Sequence, residues 1–236
     1  MRFKPVQPSR QTLSGVQIFQ DLTADESAAL ARSCHAGIFS ANKPVVSARD
    51  DTHDVYFVAS GKVRVTIISV AGKEVTFRDM GPGSVFGDLS AIDGQARSAN
   101  VITLEESLIA WMSADVFLDT LERYSSVSRA MLLVLTDLVR RLSERVVEFS
   151  TLGVKNRLHA ELLRLAREAM VGENSANISP SPTHAGLASR ISTHREAVTR
   201  ELHELAGLGL LERRKGALFV HDVDRLAHMV SQVKGE

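Results

Sequence analysis

Two groups of side chains in this sequence have the types and spacing for anion chemistry. In residues 86–100, FGDLSAIDGQARSAN, a lone Arg97 follows two glycines and two acids inside a stretch of short apolar runs. A guanidinium makes two charge-assisted bonds to one anionic group, which an ammonium does not, so Arg97 with Ser98 beside it suits a phosphate. If residues 88–93 form a helical turn after Gly87, the free N–H groups at its start face the same anion, and Asp88 is poised to accept from a sugar hydroxyl. The competing reading is a plain ion pair between Arg97 and Asp88 or Asp93.

The second group lies in residues 183–200, THAGLASRISTHREAVTR. Thr183 caps a short helix carrying Leu187 and Ala188, a tight turn follows through Ser192, and a second helix from about Thr193 buries Val198, Leu202 and Leu205. His194, Arg195, Glu196, Thr199 and Arg200 then face outward near its N-terminal end, where a recognition helix contacts base edges in the major groove. Arginine donates to guanine O6 and N7 and glutamate accepts from cytosine N4, each good pair giving about 1–3 kcal/mol of discrimination. Behind it, LLERRKGALFVHD reads as a hairpin turning at Lys215 and Gly216, a wing whose Arg213, Arg214 and Lys215 meet phosphates of double-stranded DNA.

These groups need scaffolds, and the hydrophobic pattern predicts two kinds. Residues 37–112 are strand-like: Val63, Val65 and Ile67 alternate with Arg64, Thr66 and Ile68. Turn signals at residues 60–62, 71–73 and 81–83 separate the apolar runs, which is the spacing of an antiparallel roll or barrel. Ahead of it, DLTADESAALARSC predicts a short helix capped by Thr23 or Asp25 with Leu30 inward. From Ser113 to about Leu152 the period becomes helical. Met131, Leu135, Leu138, Leu142, Phe149 and Leu152 recur at steps of four and three, with Arg145 in the one seam position between Leu142 and Phe149. A second stripe of Leu132, Val139 and Val146 lies beside them, so one face packs on the roll and the other on a second copy, giving a homodimer.

Gly153 interrupts the pattern and marks a boundary. A helix with Leu158, Leu162, Leu163 and Leu165 inward follows, and then GENSANISPSPT, a polar loop too poor in apolar residues to reach the core. The expected fold class is α+β: a β-roll over residues 1–112, a long dimerisation helix and hinge over 113–153, and a winged helix-turn-helix over 154–236.

Composition narrows the function. Among 236 residues, Lys plus Arg and Asp plus Glu are both 28, but residues 155–236 hold 12 basic against 10 acidic residues and six of the eight histidines. Cys34 is the only cysteine, which excludes intrachain disulfides and a cysteine-held iron–sulfur cluster. No run of 18 apolar residues occurs and the first residues lack a signal-peptide pattern, so the expectation is a cytoplasmic protein with no membrane partner. Catalysis by a metal-dependent roll needs converging histidines; His35 and His53 are not so spaced, nor are His194, His203, His221 and His228. The expectation is therefore no metal and no enzyme.

With these residues in view, the chain resembles the cyclic AMP receptor protein/FNR family of bacterial transcription regulators. GDLSAIDGQARSA is similar to that family's phosphate-binding cassette and REAVTR to its recognition helix, and the order of roll, long helix and winged helix-turn-helix covers nearly the whole chain. The resemblance implies an allosteric ligand, 3',5'-cyclic AMP or 3',5'-cyclic GMP. It places Arg97 and Ser98 on the cyclic phosphate and Gly87 and Leu89 beside it through their backbone. Asp88, where cyclic AMP-binding members have Glu, takes the ribose 2′-hydroxyl. It also implies DNA reading by Arg195, Glu196 and Arg200 of a homodimer on palindromic sites, with RNA polymerase as a partner. On the long helix the family reaches the base with adjacent Thr and Ser; Leu142 and Ser143 stand there, and a leucine cannot hydrogen-bond the adenine amino group, which opens the site to cyclic GMP. Relatives that sense haem ligands, redox state or nothing are the alternative.

Overall fold

A computed structural model describes residues 3–68 and 74–234, so the turn expected at residues 71–73 lies outside the described residues. The chain divides into two compact units, residues 1–139 and 140–236.

In the first unit, β1 (Lys4–Val6), α1 (Arg10–Leu13) and α2 (Ala24–Arg32) come first. Thr23, not Asp25, caps α2: its hydroxyl accepts from the Glu26 amide, and the Glu26 carboxylate accepts from the Thr23 amide at 2.8 Å. This reciprocal pair satisfies two donors that a helix start otherwise leaves open. Then come β2 (His35–Phe39), β3 (Pro44–Val46), β4 (Val55–Ser60), β5 (Val63–Ile68), β6 (Glu74–Met80), β7 (Val85–Phe86), α3 (Asp88–Asp93), β8 (Asn100–Thr103) and β9 (Ser107–Met112). The strands form two antiparallel sheets, in the order β1-β2-β9-β4-β7 and β3-β8-β5-β6. Phe57, Val58, Val63 and Ile109 fill the roll and are fully buried.

The alternation expected along β5 fails at a bulge between Val65 and Thr66. Thr66 is buried and Ile68 is exposed; the extra residue is Phe77 of β6, passed over between Val65↔Arg78 and Thr66↔Thr76, which disrupts the ladder at this point.

The helical run expected to be continuous from Ser113 is two helices, α4 (Ala114–Arg123) and α5 (Ser125–Thr151). Tyr124 between them is extended (φ −117°, ψ 97°), and the Ser128 hydroxyl donates back to the Leu121 carbonyl. Serine side chains that bond locally to backbone compete with helix continuation, whereas the apolar spacing runs on across the joint and gives no sign of it. Within the first unit, Met131 of α5 is buried with Phe117 and Val127, and Leu135 packs against them; Leu132, Leu133 and Val139 are exposed.

The second unit holds the rest of α5, then α6 (Val154–Glu168), β10 (Ala176–Ile178), α7 (His184–Arg190), α8 (Arg195–Gly207), β11 (Leu211–Arg214), β12 (Ala217–Val220) and α9 (Val223–Lys234). Gly153 is the N-cap of α6. The segment expected to be a polar loop carries β10, which pairs with β12 in the register Ala176↔Val220 and Ile178↔Leu218 and buries both Ala176 and Ile178. Three residues are too short a run to show a period; the distant partner strand decides. Sequence reasoning assigned nothing to α9, whose Val223, Leu226 and Val230 join the core around Leu158 and Leu162. The whole is α+β: an antiparallel β-roll, a long helix and a winged helix-turn-helix. Among the described residues, no helix is long and apolar enough to cross a membrane.

Candidate functional site

In the first unit, the helix expected after Gly87 is α3, and Gly87 is its N-cap with φ 81°. A Cβ at Gly87 would sit 2.8 Å from Arg97 Nη1 and 2.8 Å from the Asp54 carbonyl oxygen, so the left-handed backbone and the crowding both require glycine. Arg97 is 3% exposed. Its Nε donates to Thr52 Oγ1 at 3.0 Å, Nη1 to the Gly87 carbonyl at 2.9 Å and Nη2 to the Asp54 carbonyl at 2.7 Å. The guanidinium carbon lies 5.7 Å from the centre of the Tyr56 ring, which stacks on Phe86.

Every atom that Arg97 bonds is a neutral oxygen. The ion pair with Asp88 or Asp93 weighed from the sequence is not formed among the described residues. Burial pulls the guanidinium below its ordinary value, opposed by Tyr56, Asp54, Asp50 and Asp88. Three of the five N–H donors are used, which leaves two for another acceptor.

Residues 48–54 hold this arginine, and sequence reasoning missed them. The Arg49 amide donates to the Arg97 carbonyl at 2.8 Å, and the Arg97 amide donates to the Asp50 carbonyl at 3.0 Å. The Ala48 amide donates to Asn100 Oδ1 at 2.8 Å. The only signal was a polar run between strand patterns, which does not name its partner.

Asp88 is buried beside this site, and burial raises its carboxyl above the ordinary range, against backbone N–H groups at the start of α3 and the charges of Arg78 and Arg97. Leu89 and Ser98 are exposed. The structure thus gathers Gly87, Asp88 and Arg97, with Leu89 and Ser98 next to them in the chain. Leu142 and Ser143 belong to the second unit and are exposed on α5.

In the second unit, Thr183 caps α7 by accepting from the Gly186 amide at 2.9 Å. The turn into α8 passes through exposed Ser192 at φ 54°, and His194 is the N-cap of α8. Val198 and Leu205 are fully buried and Leu202 nearly so, which turns His194, Arg195, Glu196 and Arg200 outward. Thr199 is half-buried, its hydroxyl bonded to the Arg195 carbonyl and to His184. Arg195, Glu196, Thr199 and Arg200 share one open concave surface with His203 and Glu204, and Thr183, Arg195 and Arg213 share a neighbouring one.

On the wing, Arg213 and Lys215 are exposed. Arg214, which the sequence placed with them, is occupied: it donates to Glu212 at 2.8 Å and lies 3.7 Å over the Phe219 ring.

Sequence reasoning also missed a set of buried charges in this unit. Glu161 on α6 is 1% exposed and accepts from Arg164 on its own helix and from Arg190 of α7 at 3.1 Å, while Arg145 of α5 lies 3.2 Å away. Glu148 of α5, 4% exposed, accepts from Arg164 at 3.2 Å. Arg145, the odd residue in the α5 seam, therefore has a partner across the α5–α6 break. His159 of α6 likewise meets Glu201 of α8 at 2.6 Å.

Each of the two units matches a known domain family. Residues 38–124 match the cyclic nucleotide-binding domain family, and residues 156–229 match the Crp-like helix-turn-helix domain family. The chain belongs to the Crp/Fnr family. A cyclic AMP receptor protein of Thermus thermophilus is 28% identical over 213 residues, covering 89% of this chain and 94% of its own. A CRP-like cAMP-activated global transcriptional regulator of Mycobacterium tuberculosis is 25% identical over 218 residues, covering 92% and 97%. Among solved structures, a CooA variant from Carboxydothermus hydrogenoformans shares the fold at a TM-score of 0.77 and 20% identity, covering 94% of this chain and all of that one. As a Crp/Fnr chain the protein is a DNA-binding transcription regulator with a cyclic nucleotide-binding domain, in a family of regulators rather than enzymes.

Proposed function

We propose that this Crp/Fnr chain is a cytoplasmic homodimer that responds to a 3',5'-cyclic nucleotide and then binds palindromic DNA. One observation carries the reading: the Arg97 guanidinium is buried among neutral oxygens, with two donors unspent and, among the described residues, no carboxylate paired to it. A cyclic phosphodiester supplies the missing charge. Gly87, Leu89 and Ser98 lie along it, and Asp88 takes the ribose 2′-hydroxyl.

The exposed stripe of Leu132, Val139 and Val146 supports self-association through α5, since apolar residues at every seventh position seek a facing helix. In the dimer, Arg195, Glu196 and Arg200 read base edges, and Thr183, Ser192, His194, Thr199, Arg213 and Lys215 flank them along the backbone. Two recognition helices then fit major grooves about 34–36 Å apart. RNA polymerase is the further partner. The ligand acts by preferring the DNA-binding form, and shifts the equilibrium only by that preference.

Leu142 and Ser143 set base selectivity in this proposal. With a leucine at the position of the adenine contact, cyclic AMP and cyclic GMP stimulate DNA binding at concentrations within about tenfold of each other. Fluorescence anisotropy on an operator duplex, titrated with each nucleotide, tests this. A preference for cyclic AMP of about a thousandfold removes Leu142 and Ser143 from the base contact, and no response to either nucleotide removes the ligand class.

A further inference from the structure

His184, the first residue of α7, has no role in the reading above. Its Nδ1 lies 2.6 Å from Thr199 Oγ1 on the recognition helix, and the same hydroxyl donates to the Arg195 carbonyl at 3.0 Å. A threonine hydroxyl has one proton. With that proton on the carbonyl, the imidazole is the donor, so Nδ1 carries the ring hydrogen and Nε2 is the nitrogen left over.

His184 lines an open concavity of about 420 Å³ together with Thr183, Ala185, Arg195 and Arg213. The charged or titratable groups that bear on the ring are Arg195 and His203 from α8 and Arg213 from β11. From α6, which also packs on α7, Glu161 is directed to Arg190 instead. Burial first, then Arg213, Arg195 and His203, hold the imidazole below its ordinary value, so it is neutral at neutral pH. An anion in the concavity reverses that balance, because it meets two arginines and a ring nitrogen that becomes a donor on taking a proton from solvent.

We infer that His184 is a proton-linked ligand for a DNA phosphate and the residue that fixes the Thr199 side chain. The free chain carries a neutral ring, and the complex carries an imidazolium. Duplex binding therefore takes up a proton, and affinity rises as pH falls. The inference rests on the DNA-binding reading of α7, α8 and the wing.

The test uses the full-length protein with saturating cyclic AMP and cyclic GMP, and a mixed-sequence 30-base-pair duplex at fixed ionic strength. Anisotropy between about pH 8 and pH 6 should show affinity rising by up to about tenfold per pH unit per protomer, the limit for one proton. His184→Gln should lose most of that rise. In parallel, the His184 ring proton resonance of the wild-type protein should titrate at higher pH with duplex than without it, a readout independent of how the variant folds. An unchanged resonance midpoint, or an equal pH dependence in His184→Gln, overturns the inference. A wild-type protein that binds no duplex at either pH overturns the DNA-binding reading itself, and the inference with it.

Discussion

The two units handle buried charge in opposite ways. In the first, Arg97 is fixed by one hydroxyl and two carbonyls, all neutral. In the second, Glu161 and Glu148 are matched by Arg145, Arg164 and Arg190. Taking an ion out of water costs several kcal/mol unless a counter-ion and hydrogen bonds compensate it. The matched set therefore acts as architecture: it ties the end of α5 to α6 and to the first helix of the helix-turn-helix. The unmatched guanidinium is held in place yet left short of a negative charge, which is the condition an anion site requires.

Breaking the matched set should have the largest effect. Glu161→Ala leaves Arg145, Arg164 and Arg190 facing one another around a void, and urea unfolding should show a loss of about 3–5 kcal/mol. The comparison weakens if the loss is below about 1 kcal/mol, because the set would then be a surface-like ion pair. Arg97→Leu should cost far less in the ligand-free protein, about 1 kcal/mol, since the orphaned carbonyls are offset by removal of a buried charge that has no direct ion-pair partner among the described residues. A loss as large as that of Glu161→Ala would mean that Arg97 is a structural residue like its counterparts in the second unit.

The smallest effect concerns the acid beside Arg97. The folded state raises the Asp88 carboxyl, so its ionisation opposes folding. Its contribution is fully favourable below the unfolded value and is lost as pH rises through the folded one. Asp88→Asn removes the ionisation, so the variant should be slightly more stable than wild type at pH 7 and indistinguishable below about pH 4. Urea curves at both values check this; a destabilised variant at pH 7 would mean that the carboxylate is held by bonds that asparagine cannot replace.

What the sequence made legible follows the range of the interactions involved. The caps at Thr23 and Thr183, the short helix after Gly87, the helix-turn-helix with its buried Val198, Leu202 and Leu205, and the wing turn at Gly216 are all written within a few residues of themselves. Strand β10, the bulge in β6 opposite Val65 and Thr66, and the clasp of residues 48–54 on Arg97 depend on partners outside their own stretch of chain, and no local period announces them. Arg145 shows both sides of this. Its misfit in the α5 seam was visible, but its partner Glu161 sits in a helix whose apolar positions drew all the notice. His184 escaped for the same reason, since only the packing of α7 on α8 brings it to Thr199.

The claim that everything else depends on is that Arg97 awaits a cyclic phosphodiester. Isothermal titration of the wild-type protein and of Arg97→Leu with cyclic AMP and cyclic GMP tests it most directly. The account predicts one site per protomer in the wild type and no detectable heat with either nucleotide in the folded variant. Equal affinity in the two proteins would contradict it.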